Sequence, residues 1–579
     1  MALELAVRGG GGVTGARRFV AALASVLFCG AVLTLARAKW RAAVGAAFGL
    51  IAVTQGTFAY FWHTFLDRQV AESAVYHGAD VRAVLGAMAL RVVSLGAAGA
   101  LMGGAVAVIA GPLPLAARAP VRASAACALL LLLAAGPPLR AATPEVATLD
   151  AVAFVATRSA RSSARVESRA AVPAVEVPAV RALPNVVFVL TESVRADDGC
   201  AAPNAPCPTM PRVHGLMRDR IPLLGMRAVS SYTAVSLSAL LTGRTQEGPR
   251  ESIAAAPTLF DLVRATTRSE QRPYVAFWSA QMASVFERAE VARSVDSFVS
   301  VETLVGRAIE DEDEVVDRGV DALLANHVEK AIAALPEPFF LFLQLAGTHA
   351  PYYVDEARAP FVPWSRTVSW SKLPELRSAY KNAIVAQDAS VARMLERVFD
   401  KNGKAPLVVL FTSDHGEAFG EHGAIHHGQN VYDEQLHVPA WIAARNGALS
   451  GTALGHLAAR RDRTATHLDL LPTVLDVYGT WRSFGLREFT RRLPGRSLLD
   501  APEPFTPVPI TNCTAMFPCP LHTWGVLGES ALLGAQAWDA DWHCLPLDGA
   551  NEPKAAACEA LRRASMTFFA KKPNGAPNY

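Results

Sequence analysis

The chain has 579 residues, enough for two or more folding units. Charged residues are only 18%, mean hydropathy is +0.23 and the formal net charge is +3. A charge that small, with no basic stripe interleaved with aromatics, argues against a nucleic-acid partner.

The apolar excess sits in the first ~140 residues, which are rich in Ala, Leu, Val and Gly and poor in acids. Four stretches, at roughly 19–37, 42–62, 92–116 and 121–142, each approach the length needed to cross a bilayer. Their Gly and Ala content suits helices packed inside a membrane. Tyr60, Phe61 and Trp62 suit an interfacial aromatic belt. A buried soluble bundle is the competing reading. Arg37, Lys39, Arg41, Arg118 and Arg122 favour cytoplasmic first and third loops, whereas Arg17 and Arg18 argue for an internal N-terminus. Orientation and the exact number of spans therefore stay open.

Six of the eight cysteines form close pairs in loop-like sequence: Cys200 with Cys207, Cys513 with Cys519, and Cys544 with Cys558. None has CxxC spacing, so three local disulfides are expected, which places this part of the chain outside the cytoplasm. Unpaired loop cysteines are the alternative.

Residues 143–183 lack steady periodicity and read as a linker or an arm over the membrane surface. From 184 onward strand-like runs (185–191, 273–278, 339–346, 406–412, 438–443) alternate with helix-like ones (232–242, 256–266, 279–289, 315–335, 374–400, 464–478). That alternation predicts an α/β fold with a mostly parallel sheet sandwiched by helices. Short strands and two cysteine pairs after ~505 predict a small C-terminal subdomain. The expected organisation is a transmembrane helical region over 1–142, a linker over 143–183, a catalytic domain over 184–505 and the subdomain over 506–579.

Three stretches carry chemistry. Val186 to Leu190 is a short apolar run of the kind buried on both faces, and it ends in Thr191-Glu192-Ser193. A carboxylate is thus delivered to the strand's carboxyl end, where ligands bind in open α/β sheets. Taken alone, Glu192 is equally well a cap or a surface acid. Pro406 to Phe411 is a second such run and delivers Asp414-His415. Between them, Ser231 to Gly243 reads as a helix opened by small hydroxyl residues. A hydroxyl there meets free N–H groups and the positive end of the dipole, a place that holds phosphate or sulfate. Thr233 is then a nucleophile if a metal lowers its pKa; alone, it is more commonly an N-cap. Glu192, Thr233, Asp414 and His415 make a mixed O/N donor set that favours Zn or Mn, with Ca or Mg second choices. His349 follows the third strand-like run, and His427 precedes a Tyr-Asp-Glu. Both suit contacts to substrate oxygens or protonation of a leaving group, or a structural role; His437 reads as structural.

In order and spacing, NVVFVLTESVRADD, FTSDHGEAFGEHG, YDEQLHVPAWI and HLDLLPTVLDVYG resemble the landmarks of the sulfatase branch of the alkaline phosphatase superfamily, over roughly 184–480. The resemblance implies an alkaline-phosphatase-like α/β fold and metal-assisted transfer through a covalent enzyme intermediate. Most sulfatases carry Cys-x-Pro-Ser-Arg before Leu-Thr-Gly, the Cys becoming formylglycine. Here Thr233, Val235 and Leu237 replace Cys, Pro and Arg, while Ser236 is retained. Oxidising a threonine in the same way gives a ketone, not that aldehyde. A Thr nucleophile behind N-terminal spans is instead similar to the phosphoethanolamine and lipoteichoic-acid-type transferases, with which Thr-Ala-Val-Ser is shared. The resemblance implies Glu192, Thr233, Asp414 and His415 around the metal, and His349 and His427 on the substrate. The expected function is a membrane-anchored hydrolase or transferase of the inner membrane. It acts extracytoplasmically on a phosphate or sulfate ester of an envelope lipid or glycan. A sulfatase working without formylglycine and an inactive membrane scaffold are the alternatives.

Overall fold

A computed structural model describes residues 27–33, 35–62, 66, 71, 78–109, 120–124, 127, 144–157, 171–177, 182–245, 256–268, 271–283, 291–309, 312–428, 430–512, 523–536, 542–547 and 552–568. Most of the fourth apolar stretch, the start of the first, most of the helix expected over 279–289 and the pair Cys513 and Cys519 lie outside the described residues.

The N-terminal part contains α1 (Ala38–Trp62), α2 (Gly78–Ile109) and α3 (Pro144–Thr157). Among the described residues no helix is long and apolar enough to cross a membrane. α1 and α2 cross through glycines: a Cβ built on Gly49 would stand 2.0 Å from the Gly99 carbonyl oxygen, and one on Gly103 2.2 Å from that of Gly45. Spacing of four on both helices lets the backbones touch, as in small-xxx-small crossings. α3 occupies part of the expected linker. It starts at a proline, as helices tolerate, and its Thr148 hydroxyl accepts from the buried Gln55 amide of α1 at 2.7 Å.

The main body is built on a seven-stranded sheet: β1 (Asn185–Thr191), β2 (Ile221–Pro222), β3 (Tyr274–Ser279), β4 (Ser297–Val299), β5 (Phe339–Gln344), β6 (Leu407–Ser413) and β7 (Ala440–Arg445). Their spatial order is β2-β7-β6-β1-β5-β3-β4. β7 runs antiparallel to both of its neighbours, β2 and β6, and the remaining pairings are parallel, so the sheet is mixed at one edge. β1 lies central because both of its faces are apolar. Val186, Phe188 and Leu190 enter one core, and Val187 and Val189 enter the other. Phe188 stacks on Phe342 of β5, ring centroids 4.7 Å apart.

Helices α4 (Thr233–Thr242), α5 (Leu259–Arg264) and α8 (Leu470–Val477) fill the first core. Helices α6 (Val320–Ala331) and α7 (Leu373–Asn402) fill the second. α4 stops at Gly243, whose φ of 64° is the left-handed geometry that ends helices. Beyond it, β8 (Val508–Thr511), β9 (Thr523–Leu527), β10 (Ala531–Gln536) and β11 (His543–Pro546) form an antiparallel meander under α9 (Ala555–Phe568). Cys200–Cys207 and Cys544–Cys558 are disulfides.

Candidate active site

Adjacent parallel strands place the two acids. Thr191 of β1 pairs with Ser413 of β6, so the next residues, Glu192 and Asp414, emerge side by side at the carboxyl edge. Both are fully buried. The chain turns sharply at Ser193 (φ 56°), whose N–H donates to Asp414 Oδ1 at 2.9 Å. The Tyr380 hydroxyl of α7 holds this turn from behind, donating to Ser193 O (2.9 Å) and accepting from Arg195 N (2.8 Å).

α4 brings the hydroxyl. Tyr232 is its N-cap, Thr233 its first helical residue, and no side chain caps it. Thr233 is therefore not the cap that its sequence position alone suggests. Thr233 Oγ1 instead lies 2.9 Å from Glu192 Oε1 and 3.0 Å from His415 Nε2. One turn on, Ser236 donates to Asp414 O at 2.6 Å and ties the helix to the end of β6. His415 Nδ1 faces the Gly416 carbonyl at 2.9 Å. A carbonyl only accepts, so the proton sits on Nδ1 and Nε2 turns its lone pair to the cluster.

Burial pushes the Glu192 carboxyl up to about 8, and the adjacent Asp414 charge adds to the rise. Burial lifts Asp414 to about 6 against the pull of the Ser193 and His415 N–H groups. Burial lowers His415, keeping the imidazole neutral and a lone-pair donor. Asp414 Oδ2 has no hydrogen-bond partner. Ligand atoms of Glu192, Asp414 and His415 lie within 4.8 Å of one another, the one such three-residue group among the described residues. Two buried carboxylates, one of them with an orphaned oxygen, are costly without a positive charge between them. With the neutral imidazole and the hydroxyl, they fit a divalent cation.

The candidate substrate histidines stand beside this group. The His427 ring centroid is 4.3 Å from that of His415 and 5.2 Å from that of His349. His349 Nδ1 lies 2.7 Å from Ala350 O, and His427 Nδ1 lies 3.1 Å from Glu417 Oε1. Glu417 is itself fully buried, raised to about 7 by burial, and accepts from the Tyr352 hydroxyl at 3.2 Å. His437 lies against Leu224 O at 2.6 Å, in keeping with a structural role. Three neighbours escaped sequence reasoning. Gln281 lies two residues past β3 and donates to Glu192 Oε2 at 3.4 Å. It shares the signal that marked Glu192, the carboxyl end of a buried parallel strand. Glu417 lay inside a quoted motif but had no visible partner. His467, in the HLDLL landmark, contacts Ser236 Oγ at 3.2 Å and is pushed to about 3 by burial.

A sequence profile described as Sulfatase matches residues 184–480, just over half of the chain. This chain belongs to the sulfatase family. All nine candidate and newly found residues from Glu192 to His467 fall inside the sulfatase-family segment. The family chain is also 31% identical over 146 residues to the phosphatidylethanolamine transferase Mcr-2 of Escherichia coli, covering 24% of this chain and 26% of that one. It is 26% identical over 254 residues to the phosphoethanolamine transferase EptA of Helicobacter pylori, covering 42% and 44%. The chain thus spans less than half the length of these relatives. Among solved structures, the integral membrane lipooligosaccharide phosphoethanolamine transferase A of Neisseria meningitidis shares the fold. Its TM-score is 0.50 at 15% identity, over 79% of this chain and 88% of that one.

Proposed function

We propose that this sulfatase-family chain is a membrane-anchored, metal-dependent phospho-group transferase. Thr233 takes a phospho-substituent from a membrane lipid and passes it to an envelope lipid or glycan. The observation that carries this reading is the Thr233 hydroxyl, held at a helix N-terminus 2.9 Å from Glu192 and 3.0 Å from His415. The transferase names of the matched relatives support the choice of phosphate over sulfate.

A divalent ion held by Glu192, Thr233, Asp414 and His415 supplies a lowered hydroxyl pKa and stabilisation of oxyanion charge. Zinc or manganese suits this donor set better than calcium or magnesium. Thr233 Oγ1 attacks phosphorus in line, its proton leaving to water, since the Glu192 and His415 lone pairs that face it would hold the ion. The Thr233 and Ala234 N–H groups, ahead of the first helical bonds of α4 made by Val235 and Ser236 to Tyr232 O, suit phosphoryl oxygens. The Oγ–P bond forms as the bond to the glyceryl oxygen breaks. His349 and His427 hold the remaining oxygens and return a proton to the leaving group, with Glu417 orienting His427. An acceptor hydroxyl then attacks the same phosphorus and frees Thr233.

The proposed organisation is a membrane-embedded 1–142, a connecting 143–183, a catalytic 184–505 and a C-terminal 506–579. Large apolar side chains left exposed on α1 and α2 support lipid contact, including Leu50 at 45%, Leu101 at 77% and Ile109 at 84%. The disulfides support a catalytic domain outside the cytoplasm, on the outer face of the inner membrane.

The test is the mass of the Thr233 peptide after the full chain is incubated with phosphatidylethanolamine. A phosphoethanolamine adduct, absent in Thr233→Ala of unchanged metal content, is expected. No adduct alongside turnover of aryl sulfate would favour the sulfatase alternative. No adduct and no turnover of any ester would leave the inactive scaffold.

A further inference from the structure

The side chains assigned chemistry lie between Glu192 and His427, yet one that joins their loops comes from beyond the matched segment. Asn512 follows β8 of the C-terminal sheet and is fully buried. Its Oδ1 accepts from Ser230 Oγ at 2.9 Å and from Ser231 N at 3.0 Å. Its Nδ2 donates to Ser231 Oγ at 2.9 Å and Gly428 O at 3.0 Å, and approaches Asn430 O at 3.3 Å. Ser231 stands two residues before Thr233, and Gly428 directly follows His427. Ser231 Oγ donates to Asn430 O at 2.5 Å and closes the ring between the two loops. The Thr511 N–H donates to Val229 O at 3.2 Å, so the backbone before Asn512 is fixed to the same turn.

We infer that Asn512 is a positioning residue that fixes the separation between the Thr233 turn and the His427 loop, so that the C-terminal sheet completes the site. The roles of Thr233 and His427 rest on the proposed function; the link between their loops does not. An amide suits the place because one end must accept from the serine turn while the other donates to the Ser231 hydroxyl and the Gly428 carbonyl. A buried group deprived of its partner is costly, so each loop left unpaired moves to find another. An aspartate separates the two halves of the link. It still accepts from Ser230 and Ser231, but turns an oxygen toward the Gly428 and Asn430 carbonyls.

The experiment uses the full chain in detergent, with Asn512→Asp, Asn512→Ala and the parent compared by hydrogen–deuterium exchange and by hydrolysis of bis(p-nitrophenyl) phosphate. Asn512→Asp is expected to raise exchange about tenfold in peptides covering 425–431 and to leave 228–234 near the parent. Asn512→Ala raises both. In Asn512→Asp, kcat falls about tenfold while KM stays within twofold. Unchanged exchange at both loops in Asn512→Ala would overturn the inference. So would a fall in Tm with kcat and KM both unmoved, which marks a merely structural residue. If the parent shows neither turnover nor a Thr233 adduct, the proposed function fails while the exchange data still decide the link.

Discussion

Removing the proposed divalent ion should make stability fall with rising pH. Burial lifts the Glu192 carboxyl from its ordinary 4.5 to about 8. Between those values the native chain keeps a proton that the unfolded chain releases, so the metal-free protein loses stability as pH rises through the window. Below 4.5 both states are protonated and the effect is absent; above 8 it is complete. At ~1.4 kcal/mol for each pH unit, the loss approaches about 5 kcal/mol. That is a large share of the roughly 5–15 kcal/mol by which domains are stable. A bound cation removes the slope by holding the carboxylate ionised in the native state. The assay is urea unfolding of the detergent-solubilised chain at pH 5 and pH 8, with chelator or with zinc. It is followed by the fluorescence of tryptophans that include the buried Trp278 and Trp441. Because the Asp414 charge contributes to the rise, Asp414→Asn should flatten the chelated profile. Equal pH slopes with chelator and with zinc would refute the assignment of Glu192 to a cation.

Thr233→Ala should lower phosphodiester turnover at least about 10³-fold, the scale of losing a nucleophile, while Thr233→Ser keeps a measurable rate; initial rates at matched metal content check this. Phe188→Ala should cost about 3–5 kcal/mol by cavity formation, with roughly 0.5–1.5 kcal/mol more from the lost stack on Phe342, read from urea midpoints. Gly49→Leu should separate α1 from α2, because even a Cβ there falls 2.0 Å from the Gly99 carbonyl oxygen. The readout is loss of disulfide cross-linking between Ala46→Cys and Gly104→Cys, whose sites are 3.7 Å apart when a Cβ is built on Gly104.

Much of the fold was legible because five strands carry unbroken apolar runs. Val186 to Leu190 must be covered on both sides, and only a helix-sandwiched sheet does that. The acids at strand ends were legible for the same reason. The edge strands Ile221–Pro222 and Ser297–Val299 were not, since two or three residues carry no period. The helix expected over 315–335 is broken at Gly319, where φ is 61°. α3 was missed because its apolar residues run all round it and give no face. Glu417, His467 and Asn512 stayed hidden for a different reason. Their importance lies in partners 10, 231 and about 280 positions away, and no local pattern encodes a hydrogen bond across such a span.

The pairing of Thr191 with Ser413 has a further consequence. Glu192 and Asp414 are spaced by the hydrogen-bond ladder of the sheet interior, not by the loops that follow. Slipping either strand by one residue would carry its acid about 3.3 Å along the ladder and turn it to the opposite face. The proposed ion site therefore inherits the stiffness of the core, whereas the loops bearing His349 and His427 lie outside that ladder. A scaffold of this kind can change the molecule it accepts without disturbing the centre that reacts.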